Sequence, residues 1–324
     1  MRVHANDGIS TDALERLKEE GFVVSTENVP QEKLADYINS QKVEALLVRS
    51  ATKVRKELID ACPGLKLIGR GGVGMDNIDV AYARGKGIRV VNTPSSSSIS
   101  VAELVMAHLF GLCRDLYKAN RRMPTEGHTA FKEMKKEYGK GTELRGKTLG
   151  ILGYGRIGRW VARYALGAGM KVIYTDNKAT VDYIEVDLNG ETHRVGIKEV
   201  PLEELLAKSD FLTVHVNAHP EGRPALGPEE FNKMKPGMIL VNAARGNSID
   251  EKALTAALKD GRVKAAGLDV FMDEPAPHAE LLALPNVSLS PHIGAATVEA
   301  QQRVGQELAE LLIAWREEVA VNRG

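Results

Sequence analysis

The sequence predicts an α/β protein built from two doubly wound parallel-sheet domains, and three observations lead there. Through residues 1–95, short apolar runs alternate with helical patterns, the alternation that builds parallel sheets with helices on both faces. Between Thr148 and Asp176 an apolar run, a glycine-rich turn, an amphipathic stretch and a second apolar run make a complete βαβ unit. A chain of 324 residues is also long enough for two domains with substantial cores.

Composition narrows the function. Lys and Arg total 43 and Asp and Glu total 43, so no net charge points to nucleic acid or to an anionic membrane. Two cysteines, Cys62 and Cys113, make neither a disulfide framework nor a metal-ligand cluster, and no metal is expected. No apolar run approaches a bilayer span and no signal-peptide pattern opens the chain, so a cytoplasmic location is expected.

The elements follow in order. Arg2 to Ala5 reads as a first strand. Ser10 or Thr11 can cap a helix carrying Leu14 and Leu17, which Gly21 ends. Strands are expected at Phe22–Val24, Ala45–Val48, Leu65–Ile68 and Ile88–Val91, with helices at Gln31–Ser40 and near Asp79–Arg84. Val101, Leu104, Val105, His108 and Leu112 fall at helical spacing and predict one long helix from Ile99 to about Arg121. The mixed charges of Arg122 to Arg145, with Lys132, Lys135, Lys136 and Lys140, read as a solvated arm. After Asp176, alternating runs flank Asn189-Gly190, a hairpin signal because both residues tolerate positive φ. Later strands are expected at Phe211–His215, Met238–Asn242, Ala265–Asp269 and Val287–Ser290, with helices at Asp250–Leu258 and from Thr297 to about Glu318.

The βαβ unit has the order a dinucleotide site requires. Gly153 permits the tight turn, Gly155 lets backbone amides approach a pyrophosphate, and Gly158 lets helix and strand pack closely. Tyr154, Arg156 and Ile157 complete that cofactor loop, whose amides open a helix N-terminus. Asp176, ending the second strand, can accept from both ribose hydroxyls and would repel a 2′-phosphate, so NAD is expected over NADP.

Three later strands end in chemistry, on the side of such a sheet where ligands sit. Met238–Asn242 leads to Ala243-Ala-Arg245-Gly246, Leu268-Asp269 runs on to Glu274-Pro275, and the last strand leads to Pro291-His292-Ile-Gly294. An arginine can clamp a carboxylate with two parallel bonds. A histidine whose tautomer a carboxylate fixes is an acid/base for carbonyl–alcohol chemistry.

Over nearly its full length the chain resembles the D-isomer-specific 2-hydroxyacid dehydrogenases, and within them the phosphoglycerate dehydrogenases. The matching pieces are Gly72-Val-Gly74-Met-Asp-Asn-Ile-Asp79, Asn92-Thr-Pro94, Val101-Ala-Glu103, Gly153 to Gly158, Asn242 to Gly246, Asp269-Val-Phe271 with Glu274-Pro275, and Pro291 to Gly294. The resemblance implies that His292 is the acid/base, Glu274 its partner and Arg245 a substrate clamp. It implies that Ala243 and Asp269 line the cofactor site, and that Val73 and Gly74 hold the substrate carboxylate. Ser97 stands where such enzymes commonly carry an asparagine that contacts substrate. It further implies a Rossmann domain, residues 97–294, inserted into a flavodoxin-like substrate domain of residues 1–96 and 295–324, with hinges near 95–98 and 293–296. A homodimer through residues 118–145 is expected.

The activity so implied is NAD-dependent oxidation of 3-phospho-D-glycerate to 3-phosphohydroxypyruvate, the entry to serine synthesis. Arg49 and Arg70, at the ends of two early strands, are the candidate phosphate ligands. A hydroxypyruvate or glyoxylate reductase would share every catalytic residue. A non-catalytic NAD(H)-sensing co-repressor would not need Arg245, Glu274 and His292 together. The sequence ends at Gly324, directly after the closing helix, and a serine-binding regulatory extension is not expected.

Overall fold

The computed structural model describes residues 1–179, 181–219 and 221–321. Within them the chain divides into two compact units, residues 1–98 with 295–324, and residues 99–294.

The first unit begins with β1 (Arg2–Ala5), α1 (Thr11–Glu19), β2 (Val23–Ser25), α2 (Leu34–Ser40), β3 (Ala45–Val48), α3 (Lys56–Ala61), β4 (Leu67–Arg70), α4 (Val80–Gly85) and β5 (Arg89–Asn92). Its five strands are all parallel, in the order β2-β1-β3-β4-β5, which is the flavodoxin-like winding. Alternation along β3 makes both faces apolar. Leu46 and Val48 join a core with Leu34, Ile38 and Ile59, while Ala45 and Leu47 join another with Ala13, Leu17, Leu308 and Leu312.

The second unit carries α5 (Ser98–Cys113), α6 (Leu116–Glu126), α7 (Phe131–Tyr138), β6 (Thr148–Leu152), α8 (Arg156–Gly167), β7 (Lys171–Thr175), β8 (Tyr183–Leu188), β9 (Glu191–Gly196), β10 (Lys198–Glu199), α9 (Leu202–Lys208), β11 (Phe211–Val214), α10 (Pro228–Lys233), β12 (Met238–Asn242), α11 (Glu251–Lys259), β13 (Val263–Leu268), α12 (Ala279–Leu282) and β14 (Val287–Leu289). Seven parallel strands in the order β10-β7-β6-β11-β12-β13-β14 make a Rossmann-like sheet whose strand order reverses between β6 and β11. The last helix, α13 (Val298–Val321), returns to the first unit, and Thr297 Oγ1 accepts from the Ala300 amide at its start.

Several expectations are corrected. The single helix from Ile99 to Arg121 is two helices, because Asp115 takes a left-handed conformation (φ 48°) between α5 and α6. Aspartate is among the few residues that adopt it readily, so no glycine or proline marks the break. The solvated arm of 122–145 is largely helical. Arg122 pairs with Glu126 and Glu137 and donates to the Tyr138 hydroxyl, tying α6 to α7. The strand expected at Leu65–Ile68 lies two residues later, at Leu67–Arg70. The stretch 31–40 opens with a 3₁₀ turn before α2. Ser10 precedes α1, but its buried hydroxyl makes no capping bond. By contrast Asp250 caps α11 by accepting from the Lys252 and Ala253 amides.

The hairpin forms as read. β8 and β9 are antiparallel, with Asn189 (φ 52°) and Gly190 (φ 87°) at the turn. Ile184 is fully buried, and Arg163 of α8 donates to the Glu185 carbonyl at 2.6 Å.

Candidate active site

The glycine loop between β6 and α8 is shaped by three different requirements. Gly153 has φ 99°, and a Cβ there would lie 2.7 Å from the His215 carbonyl oxygen. At Gly158 a Cβ would fall 2.3 Å from the Gly153 carbonyl oxygen. Gly155 meets nothing within 4 Å, so its backbone is open to a ligand at the start of α8. Arg156 and Ile157 form the first turn of that helix. Asp176, just past β7, accepts from the Tyr154 amide at 2.6 Å and from the Lys178 amide at 2.7 Å. The acid and the glycine loop are thereby one rigid feature. Tyr154 turns its ring inward, stacked on Tyr174 at 4.0 Å, and leaves only its main chain to the loop.

The polar ends of β12, β13 and β14 form a second feature. Asn242, buried at the end of β12, donates to the Arg245 carbonyl and accepts from the Ala244 amide. It folds Ala243-Ala-Arg245 into a turn, with Ala243 buried. Gly246 then passes so close to Phe271 that a Cβ would lie 2.0 Å from its carbonyl oxygen. Only glycine lets the arginine turn pack on the segment that leads to Glu274. Glu274 accepts from the Phe271 amide through Oε1 and meets His292 Nδ1 through Oε2 at 2.7 Å. With Nδ1 so engaged, Nε2 is the nitrogen left to exchange a proton with a ligand. The histidine side chain is 48 % exposed, open to a ligand.

His292 sits at φ 54°, a strained conformation for a non-glycine residue. Asp269 holds the turn around it. Its carboxylate accepts from the Ser290 hydroxyl (2.6 Å), the Ile293 amide (2.9 Å) and the Gly294 amide (2.8 Å). Asp269 is only 1 % exposed. Its side chain is engaged beneath the His292 turn.

The first unit keeps its candidate residues at the ends of adjacent strands. Val48 of β3 is in register with Arg70, the last residue of β4, so Arg49 and Arg70 leave the sheet as neighbours. The loop after Arg70 is held by Thr93, whose hydroxyl accepts from the Gly72 amide, and by Asn92, which donates to the Val73 carbonyl. The Arg70 guanidinium folds over Gly72, where a Cβ would lie 1.5 Å from Nη1, and donates to the Gly71 carbonyl. Val73 is exposed and Gly74 half-buried. Ser97 is buried, 1 % exposed.

Residues 106–294 match the family described as D-isomer specific 2-hydroxyacid dehydrogenase, NAD binding domain. The chain belongs to the D-isomer-specific 2-hydroxyacid dehydrogenases. It is 43 % identical over 313 residues to a hydroxypyruvate reductase of Thermotoga maritima, covering 95 % of this chain and 96 % of that one. It is 42 % identical over 311 residues to the D-3-phosphoglycerate dehydrogenase of Methanocaldococcus jannaschii, covering 96 % of this chain and 56 % of that longer one. Among solved structures, a D-lactate dehydrogenase from Aquifex aeolicus complexed with NAD and lactic acid superposes with a TM-score of 0.75 at 29 % identity, covering 98 % and 96 % of the two chains. As a member of this family the protein is an NAD-dependent D-2-hydroxyacid dehydrogenase, and the open Gly155 backbone with Asp176 beside it fits that cofactor.

The sequence reading passed over Asn242, Ser290 and His108 in this unit, and Asn6, Asp7 and Thr52 in the other. Asn242 opens a motif that was read, though without a role of its own, and Ser290 borders another; that placement was the available signal. Nothing local marks the rest. Among the described residues, no group of three or more His, Cys, Asp or Glu side chains is arranged to hold a metal ion, and no helix is long and apolar enough to cross a membrane.

Proposed function

We propose that this dehydrogenase oxidises 3-phospho-D-glycerate to 3-phosphohydroxypyruvate. The observation that carries the choice of substrate is the pair Arg49 and Arg70, two cations on neighbouring strand ends beside an exposed backbone loop. A C3 phosphate brings nearly two negative charges, and charge-assisted bonds from guanidinium groups answer them. Arg245 is the proposed clamp for the substrate carboxylate, since a guanidinium can hold it with two parallel charge-assisted bonds. His292 Nε2 takes the hydroxyl proton as C2 is oxidised, while Glu274 holds Nδ1–H and stabilises the imidazolium that forms. NAD, when bound, supplies the hydride acceptor. The segment 118–145 is proposed to pair two copies of the chain, supported by Met123 and Phe131, which α6 and α7 leave exposed.

A second reading has its own support. The hydroxypyruvate reductase relative matches this chain over nearly equal lengths, whereas the phosphoglycerate dehydrogenase relative is almost twice as long. Steady-state kcat/KM for phosphoglycerate, glycerate, hydroxypyruvate and glyoxylate, each with the matching cofactor redox state, decides between them. A preference for phosphoglycerate over glycerate of at least tenfold is expected. A preference for glycerate and hydroxypyruvate would hand the function to the reductase.

A further inference from the structure

His108 lies on α5, far in sequence from the acid/base turn, yet it contacts that turn's support. Its ring packs over Gly267 of β13, where a Cβ would lie 2.8 Å from the His108 Cβ. Nδ1 is 3.0 Å from the Ser288 hydroxyl and Nε2 is 3.1 Å from the Ser290 hydroxyl. Ser290 has one hydroxyl proton, and it goes to Asp269 at 2.6 Å. Ser290 must therefore accept from His108, which places the ring proton on Nε2 and leaves Nδ1 to accept from Ser288. Burial depresses the pKa of His108, outweighing the opposing pull of Asp269, and so keeps this neutral tautomer. The result is a directed chain of hydrogen bonds: Ser288 to His108, His108 to Ser290, Ser290 to Asp269. It continues through Asp269 to the Ile293 and Gly294 amides, which fix the strained backbone of His292.

We propose that His108 is a positioning residue for the reaction: through Ser290 it orients the Asp269 carboxylate, which holds His292 in its left-handed, reactive placement. The proposal rests on His292 being the acid/base. Displacing a reacting group by a fraction of an ångström costs rate while leaving ligand binding largely intact.

The test is steady-state kinetics with the better of phosphoglycerate/NAD and hydroxypyruvate/NADH, alongside cofactor binding by nucleotide fluorescence. His108→Leu should lower kcat about tenfold, with cofactor affinity and KM within about twofold. His108→Gln, which keeps a donor near Nε2, should recover most of that loss. Once Ser290→Ala has broken the chain, adding His108→Leu should cost less than about twofold more, because coupled residues are not additive. A loss carried by KM, a Gln variant as poor as Leu, or losses that multiply in the double variant would overturn the proposal. If His108→Leu does not fold, Ser290→Ala alone decides: a roughly tenfold fall in kcat at constant KM supports it, and unchanged kcat overturns it. His292→Gln run in parallel separates the two claims. Retained turnover there removes the acid/base assignment itself, whereas lost turnover there with normal His108 and Ser290 variants removes this inference alone.

Discussion

Asp7 and Asp269 do the same job in different units. Asp7 accepts from the Arg49 amide, the Thr52 amide and the Thr52 hydroxyl. Asp269 accepts from the Ile293 amide, the Gly294 amide and the Ser290 hydroxyl. Each acid holds a loop by two backbone amides and one hydroxyl, and behind each hydroxyl stands a buried histidine. In the first unit the chain runs from His4 through Asn6 to Thr52. In the second it runs from His108 to Ser290. The loops so held differ in what they present. One offers Arg49, a fixed cation that can bind but cannot exchange protons near neutral pH. The other offers His292, whose free nitrogen can. Chemistry therefore depends on what sits at the tip of the turn, and the brace beneath can be common to both.

The sharpest way to break this comparison is to remove the tip. His292→Gln should lower kcat by about 10²- to 10⁴-fold with NAD affinity nearly intact, the usual cost of losing an acid/base group. Turnover and nucleotide fluorescence measure it, and near wild-type turnover would refute the assignment. In the other unit, Arg70→Ala should raise KM for phosphoglycerate about tenfold, since a charged hydrogen bond is worth about 1.5–3 kcal/mol. Activity on hydroxypyruvate should hardly move, and equal damage to both substrates would show that Arg70 does not serve the phosphate.

Replacing the braces compares them directly. Asp269→Asn turns an amide group toward backbone donors in a buried setting, and should destabilise by about 2–3 kcal/mol. Asp7 is half-buried, so water can serve its partners, and Asp7→Asn should cost about 1 kcal/mol. Thermal denaturation of the two variants ranks them, and a larger loss for Asp7 would mean that the braces differ in kind.

The last test concerns pH. Burial lowers the pKa of His4, His108 and His215, the last to about 3. Below the ordinary value of 6.5 the unfolded chain binds protons that the folded chain does not, so stability should fall as pH drops through that point and level off above it. For His215 the window runs from about 6.5 down to about 3. Melting temperature against pH should show this slope, and His215→Gln should flatten it; an unaltered slope would assign the loss to other groups.

Much of this protein was legible because its signals are local. A strand announces itself by an apolar run, the β8–β9 turn by Asn189-Gly190, and the cofactor loop by three glycines that serve the turn, the ligand and the packing. His292 and Glu274 were legible as a pair because each follows a strand of one parallel sheet on the side where strand ends share an edge. The helix break at Asp115 was not, since aspartate adopts the left-handed conformation without announcing it. Neither were the helices within residues 122–138, whose charges are largely exposed as read but which Arg122 links by pairing with Glu137 across α6 and α7.

By itself, then, the sequence determined the fold class, the glycine loop with its acid, and the residues proposed to carry the chemistry. Those depend on backbone conformation and on short-range periodicity, which neighbouring residues dictate. Only the tertiary structure decided what holds them: that Asp269 faces the turn of His292, that His108 reaches it through Ser290, and that Arg49 and Arg70 stand side by side. Hydrogen bonds between residues 21 to 182 positions apart leave no periodicity to read, because they exist only once packing has excluded water and brought the partners within reach.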